Sequence, residues 1–454
     1  MGKGPGCNRV RISLADYQER VGDEVMTVNE NIYSFTQGSH NISTCDEIVF
    51  ADEDQLVIPN GSNVTLYGGI NIPTAKKGFG SIVVNIGGVF NMEENSLINI
   101  DSIENFNSTG IGVFGTFNLN KKGTVVINTI KIGIGIYFLN ANKVDIYGRI
   151  IINEIKNGRG LNVVNTEVIM NDESSIIIEN VIAVNDSPNR DTSFGIINPG
   201  STPLDKSFIL NGGYILINKI EGYEDPVPVA YGIFLNNFIQ NEGEIEINSI
   251  KFGTGFNINR HTINGGTIKI WKIKDSYGFY FNEPITQIHS FKQLGGQIQI
   301  EELIDSIGFF NLYRPLDNFT FNQEGGTILI NKISNILNST SVGFELYSLT
   351  FTQKNDGHIV INNIESELGK GIVFAGTSDI NVENIQINSE NNTGDGIYLL
   401  ATGGNYPNFY NNGEVNVEGT ELKYTIDGTT ELFGQDDFKT YFQGDGLYNN
   451  TKPE

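Results

Sequence analysis

The sequence predicts an all-β chain: a single right-handed parallel β-helix of three-strand coils, about 12 or more, behind a short N-terminal helical cap. Three observations predict it. An eight-residue phrase recurs through most of the chain. A second, glycine-led phrase follows it. Neither carries the 3.6-residue period that a helical solenoid requires.

The first phrase reads GTVVINTI at Gly123, GRIIINEI at Gly148, GEIEINSI at Gly243 and GTIKIWKI at Gly266. It returns as GQIQIEEL at Gly296, GTILINKI at Gly326 and GHIVINNI at Gly357, with looser copies from Ser96, Ser174, Gly213, Ser378 and Gly413. Counted from its Gly or Ser, positions 3 and 5 are Ile or Val in all 12 copies, while 2 and 4 vary. Alternation of this kind marks a strand with one buried face. Position 8 is apolar in 11 copies, Thr420 being the exception, which breaks the alternation and demands a corner at positions 6 and 7. Position 6 holds Asn, Asp or Glu in every copy except at Trp271, the only tryptophan. Asn and Asp suit a corner because they tolerate unusual backbone angles and bond locally.

The second phrase gives the second strand: GIYF at Gly135, GFNI at Gly255, GFYF at Gly278, GFFN at Gly308, GFEL at Gly343 and GIVF at Gly371. A weaker third strand precedes the next copy, as in FTFNQEGG and LTFTQKNDG. Each strand is expected to pair with its equivalent one coil on, about 4.8 Å away. An antiparallel sandwich has no need of one residue type at one place in every unit, and a propeller needs four strands per unit.

The ends close the coil stack. Exposed strand edges invite aggregation unless capped. Residues 9–25 place Val10, Leu14, Tyr17, Val21 and Val25 on one helical stripe, the predicted cap. The domain reading is therefore an arm and helical cap over 1–45, the β-helix over 46–426, and a C-terminal cap or truncated continuation over 427–454. Cys7 and Cys45 read either as two buried thiols or as one disulfide clasping the arm to the body.

The formal net charge of −24 repels nucleic acid and anionic lipid, so neither is expected as a partner. No apolar run approaches the roughly 20 residues of a membrane helix, and the opening MGKGPGCNRVR lacks the apolar core of a signal peptide. That leaves a leader removed earlier or export without a standard leader.

Segments such as QNEGEIEINSI (from Gln240), FTQKNDGHIVINNI (from Phe351) and NNGEVNVEG (from Asn411) resemble the passenger repeats of type V secretion autotransporters, specifically large Asn- and Ile-rich Gram-negative adhesins. The resemblance covers roughly residues 60–420. It implies a passenger at the bacterial cell surface, anchored through an outer-membrane barrel absent from this chain. It further implies binding of host or bacterial surface protein or glycan, with no cofactor. The fragment itself is expected to be monomeric.

The alternative is a polysaccharide-binding or polysaccharide-degrading β-helix, like a pectate lyase or a tailspike. Such enzymes gather carboxylates on neighbouring coils of one face. Outward positions 2 and 4 give instead Glu244/Glu246, Thr267/Lys269 and Gln297/Gln299, with Glu246 beside Lys269 read as a cross-strand charge pair. The chain carries no Gly-x-Ser-x-Gly-like nucleophile motif, and its acidic clusters lack EF-hand or nonapeptide spacing. The reading is therefore a binder, not an enzyme, with no catalytic or metal residues.

Recognition is expected on loops and corners. The candidate ligand-binding residues are Trp271 at its corner, Asn189 and Arg190 in the insertion 184–193, Tyr223 in the insertion 221–230, and Tyr406 and Tyr410 in 405–412. Trp271 is expected to be partly exposed, lying over Asn248 or Glu301 of the adjoining coils. One more feature stands out. Outward position 4 is apolar in four consecutive copies, at Val126, Ile151, Ile177 and Leu216. Such a stripe is either covered by the long insertions nearby, the favoured reading, or an interface.

Overall fold

A computed structural model describes residues 10–42, 46–49, 54–66, 82–84, 87–103, 108–185, 192–198, 206–224, 229–281, 290–311, 319–336, 339–388, 394–400, 407–418, 421–426, 429–432, 442–444 and 447–451. The chain divides into two compact units, Met1–Tyr223 with Val229–Asn236, and Glu224–Pro228 with Asn237–Glu454. Each is built of parallel coils, as the repeats predict.

In the first unit the phrase strands Leu97–Ile103, Thr124–Ile130, Arg149–Lys156, Ser175–Ile182 and Tyr214–Glu221 pair in parallel, one coil to the next. Position 3 forms one unbroken interior column, Ile98, Val125, Ile150, Ile176 and Ile215, and position 5 a second, all fully buried. Burying each such side chain contributes roughly 1.5–3 kcal/mol. Two earlier phrase strands extend the array. Ser39–Ile42 pairs with Asn63–Leu66, which pairs with Leu97–Ile103. They escape the sequence pattern because His40 stands at position 3 of one and Leu66 at position 5 of the other.

The corner falls where the alternation breaks. Backbone pairing runs through Ile127↔Ile152, skips position 6, and resumes at Thr129↔Glu154, while position 8 turns inward at Ile130 and Ile155. The physical reason differs from the one expected. No position 6 residue has a positive φ. The left-handed residues lie further on, at position 10, where Asn157, Phe252, Asp275 and Asp305 have φ of 55°, 51°, 51° and 49°. Asn is favoured at position 6 because its amide bonds across coils. Asn153 Nδ2 donates to Asn128 Oδ1 at 3.0 Å, Asn362 Nδ2 to Asn331 Oδ1 at 2.8 Å, and Asn331 Nδ2 to Glu301 Oε2 at 2.6 Å. The corner ladder is an amide stack, not a strained turn.

The second strands explain their glycine. A Cβ on Gly160 would sit 2.4 Å from the carbonyl oxygen of Gly195, and one on Gly308 2.6 Å from that of Gly343. The obstacle is backbone of the next coil and cannot move aside, so the coils from Gly110 to Gly371 keep a glycine there. After the glycine comes the interior residue: Ile111, Ile136, Leu161, Ile196 and Ile233 in the first unit, but Phe256, Phe279, Phe309 and Phe344, and then Ile372 and Ile397, in the second. The four Phe rings stack face to face at 4.6, 4.5 and 4.5 Å.

The second unit differs in two further ways. Its third strand runs straight into the next phrase strand, as in Phe319–Ile330, Leu349–Ile361 and Asn408–Glu418. Its third-strand interior also carries amides. Gln293, Gln323 and Gln353 are buried, and each donates an amide N–H to the previous side chain at 3.1 Å, or to backbone carbonyls where the coil turns. In the first unit the same place is aliphatic: Met92, Leu119, Ile146, Met170 and Leu210.

The loose copy at Ser378 is misplaced by the sequence pattern. Phe351 pairs with Ile380, which puts residues 379–382 on the third strand, and Ile359 pairs with Ile385. The phrase strand of that coil therefore carries Ile385 and Ile387 inward, and Glu383 is not a corner residue. The N-terminal helix is also shorter than expected, Leu14–Val21, with Ser13 Oγ capping the Asp16 N–H at 3.0 Å. Val10–Ser13 is a strand that pairs in parallel with Asp46–Val49. Leu14 and Tyr17 are buried, as the stripe predicts. At the other end Phe442–Gln443 and Leu447–Thr451 continue the parallel pairing from Asn408–Glu418.

Candidate recognition surfaces

Outward positions decide what such coils can do, because every inward side chain is committed to packing. In the first unit Val126, Ile151, Ile177 and Leu216 lie side by side in register on the outer face of the phrase strands. Each is partly exposed. Most of the insertions expected to cover them, 186–191, 199–205 and 225–228, lie outside the described residues. The corner leading into these strands forms a hollow of about 440 Å³ lined by Asn60, Glu93, Glu94, Asn120, Lys121 and Tyr147. Glu93 Oε2 accepts the backbone N–H of Asn60 at 3.0 Å, and Tyr147 is 37% exposed. An exposed ring beside carboxylates and amides offers a stacking face and hydrogen-bonding groups together.

On the second strand, Phe194 stacks on Tyr231 at 5.1 Å, with Phe234 edge-on to both. Arg159 pairs in register with Phe194, and burial lowers its pKa below the usual guanidinium value.

In the second unit Trp271 is exposed, at 44%, as the corner position predicts. Its contacts differ from those expected. The indole N–H donates to Glu246 at 2.6 Å, and the Lys269 ammonium lies 3.6 Å from the ring centroid, a cation–π contact. Lys269 also pairs with Glu301 at 3.4 Å, and Gln299 donates to the same Glu301 oxygen at 2.5 Å. The ring therefore reaches outward position 4 of the coil before it. One face of Trp271 is covered by lysine and the N–H is already satisfied. Beside it, Lys272, Glu302, Lys332 and Glu365 form a chain of alternating charge at 3.0, 3.8 and 2.9 Å. Such exposed pairs contribute about 0–1 kcal/mol each.

The other expected residues are dispersed. Tyr410 is half-buried on the outer side of Asn408–Glu418, in register with Asn381, on a different strand and several coils from Trp271. Tyr223 is half-buried in the first unit. Asn189, Arg190, Tyr406, Cys7 and Cys45 lie outside the described residues. Phe409 is a buried inward residue.

Alternation on the second strand would have found another aromatic group. Tyr277, Tyr280 and Phe310 lie 5.0 to 5.5 Å apart, and Tyr347 meets Phe310 edge-on at 6.5 Å. Tyr347 donates its hydroxyl to Glu345 at 2.6 Å. Burial first, then the nearby Glu345 charge, raise the Tyr347 pKa.

Among the described residues no group of three His, Cys, Asp or Glu side chains is placed to hold a metal ion, and no helix is long and apolar enough to cross a membrane. No family model, curated protein or solved structure matches the chain.

Proposed function

We propose that this chain is the passenger region of a cell-surface adhesin of the autotransporter kind: a rigid β-helix that binds a surface ligand on host or neighbouring cells and performs no reaction. The observation that carries the reading is the in-register stripe Val126, Ile151, Ile177 and Leu216. Outward residues of a folded coil need not be apolar for the coil to fold, and a contiguous apolar strip among polar outward residues fits a partner surface. The test is adhesion of the purified chain to cells. An Ile151→Asp, Ile177→Asp double variant, shown by circular dichroism to keep its strands, should lose at least about tenfold in cell binding, the scale of one 1.4 kcal/mol contact. Full adhesion by that variant would overturn the reading.

A second reading is a non-catalytic polysaccharide binder, and the hollow at Tyr147 favours it. On this reading Tyr147→Ala abolishes retention on a glycan array while leaving cell-protein binding intact. An unchanged array profile would remove it.

A further inference from the structure

His261 occupies an interior place. It belongs to Thr254–Ile263 and sits in the column otherwise filled by Phe238, Phe291, Phe321 and Phe351. Its side chain is 1% exposed, and both ring nitrogens are without a hydrogen-bond partner. Four rings surround it: Phe238 at 5.1 Å, Phe256 at 6.0 Å, Phe279 at 6.1 Å and Phe291 edge-on at 5.6 Å.

No charge faces it. From the phrase strands the inward residues are Ile245, Ile247, Ile268 and Ile270. From the third strands they are Phe238 and Phe291 with the neutral amides of Gln240 and Gln293. The charged residues on these elements are Arg260, Glu244, Glu246, Lys251, Lys269, Lys272, Lys274 and Lys292, and none of them is buried. A neutral imidazole can stand in for a phenyl ring here. An imidazolium would be buried there with no charged partner among the described residues, and burying an unpaired charge is costly.

We propose that His261 is an acid-sensitive weak point, at which mildly acidic surroundings open its own coil, the one that precedes Trp271. The folded chain holds His261 neutral down to about pH 3, through burial alone. A released imidazole takes up its proton near pH 6.5. Because the folded pKa is the lower one, the stability that neutral His261 provides is complete above about pH 6.5. It is lost as the pH falls from there towards 3. Between those limits the opening equilibrium rises tenfold per pH unit for this one group, or about 30-fold from pH 7.5 to 5.0.

The test compares native-state hydrogen exchange of Thr254–Ile263 at pH 7.5 and 5.0 in the full chain and in His261→Phe, a side chain the column already accepts. After correction for intrinsic exchange, acid should promote opening about 30-fold more in the unsubstituted chain than in the variant. Equal acid responses overturn the proposal. Should the variant not fold, nitrogen-15 histidine spectra of the unsubstituted chain decide the matter. One imidazole is expected to stay neutral at pH 5, and four imidazoles all titrating near pH 6.5 overturn the proposal.

Discussion

The two units solve one problem with different interiors. Away from the end coils, both set Ile or Val at positions 3 and 5 of the phrase strand, and both stack a glycine at the second strand against the next coil's carbonyl. Behind that shared frame, the first unit fills its second-strand column with Ile and Leu, and the second fills it with four stacked Phe before returning to Ile at Ile372 and Ile397. The third-strand turn is aliphatic in one and a glutamine ladder in the other. Their outer faces diverge too, an aliphatic stripe against alternating charges. Phrase strand and glycine column thus define the coil, and the remaining positions are free to specialise.

The largest expected effects lie in the second-strand column. Phe309→Ala should cost about 3–5 kcal/mol and Leu161→Ala about 2–5, read as midpoint shifts in denaturant unfolding. The sharper experiment exchanges the two interiors. Phe309→Leu removes two face-to-face stacks, and Leu161→Phe forces a ring between Ile136 and Ile196, so each should destabilise by about 1–3 kcal/mol. If either exchange proves neutral, the two columns are not specialised.

The glutamine ladder comes next. Gln323→Leu strands the carbonyls of Gly326 and His358 and the Oε1 of Gln293, for about 1–3 kcal/mol despite the added apolar volume. A gain in stability would mean the ladder is ornamental. The smallest effects lie outside. Lys332→Ala should cost under about 1 kcal/mol, less at high salt. Ile151→Ser should change stability by no more than about 0.5 kcal/mol, measured on the isolated chain. A large loss at Ile151 would show that the stripe is covered by the chain itself.

The frame was legible in the sequence because interior Ile recurs at fixed spacing, and a period-two pattern with a break dictates a strand with a corner. The amide ladders were not. Gln293 and Gln323 precede paired glycines and look like ordinary turn residues, and nothing in composition marks a buried amide. Val10–Ser13 failed for a different reason, since Val10 and Leu14 satisfy helical spacing while the short segment pairs as a strand. Ser378 misled because Ile380 and Val382 face inward on the third strand, where alternation looks the same as on the phrase strand. Among site residues, the exposure of Trp271 followed from its corner address. Its partners did not, because a long ring reaches diagonally to position 4 of the preceding coil.

The claim that both interiors carry one backbone register can be tested directly by cysteine cross-linking, with Cys7 and Cys45 replaced by serine. Val126→Cys with Ile151→Cys in the first unit, and Lys269→Cys with Gln299→Cys in the second, place paired residues on the same outer face. Directly paired Cα atoms in adjacent strands fall within disulfide reach. Both pairs should oxidise to intramolecular disulfides, and a pair shifted by one residue, Val126→Cys with Ile152→Cys, should not, because those side chains point to opposite faces. Cross-linking of the shifted pair, or of only one of the two registered pairs, would contradict the account.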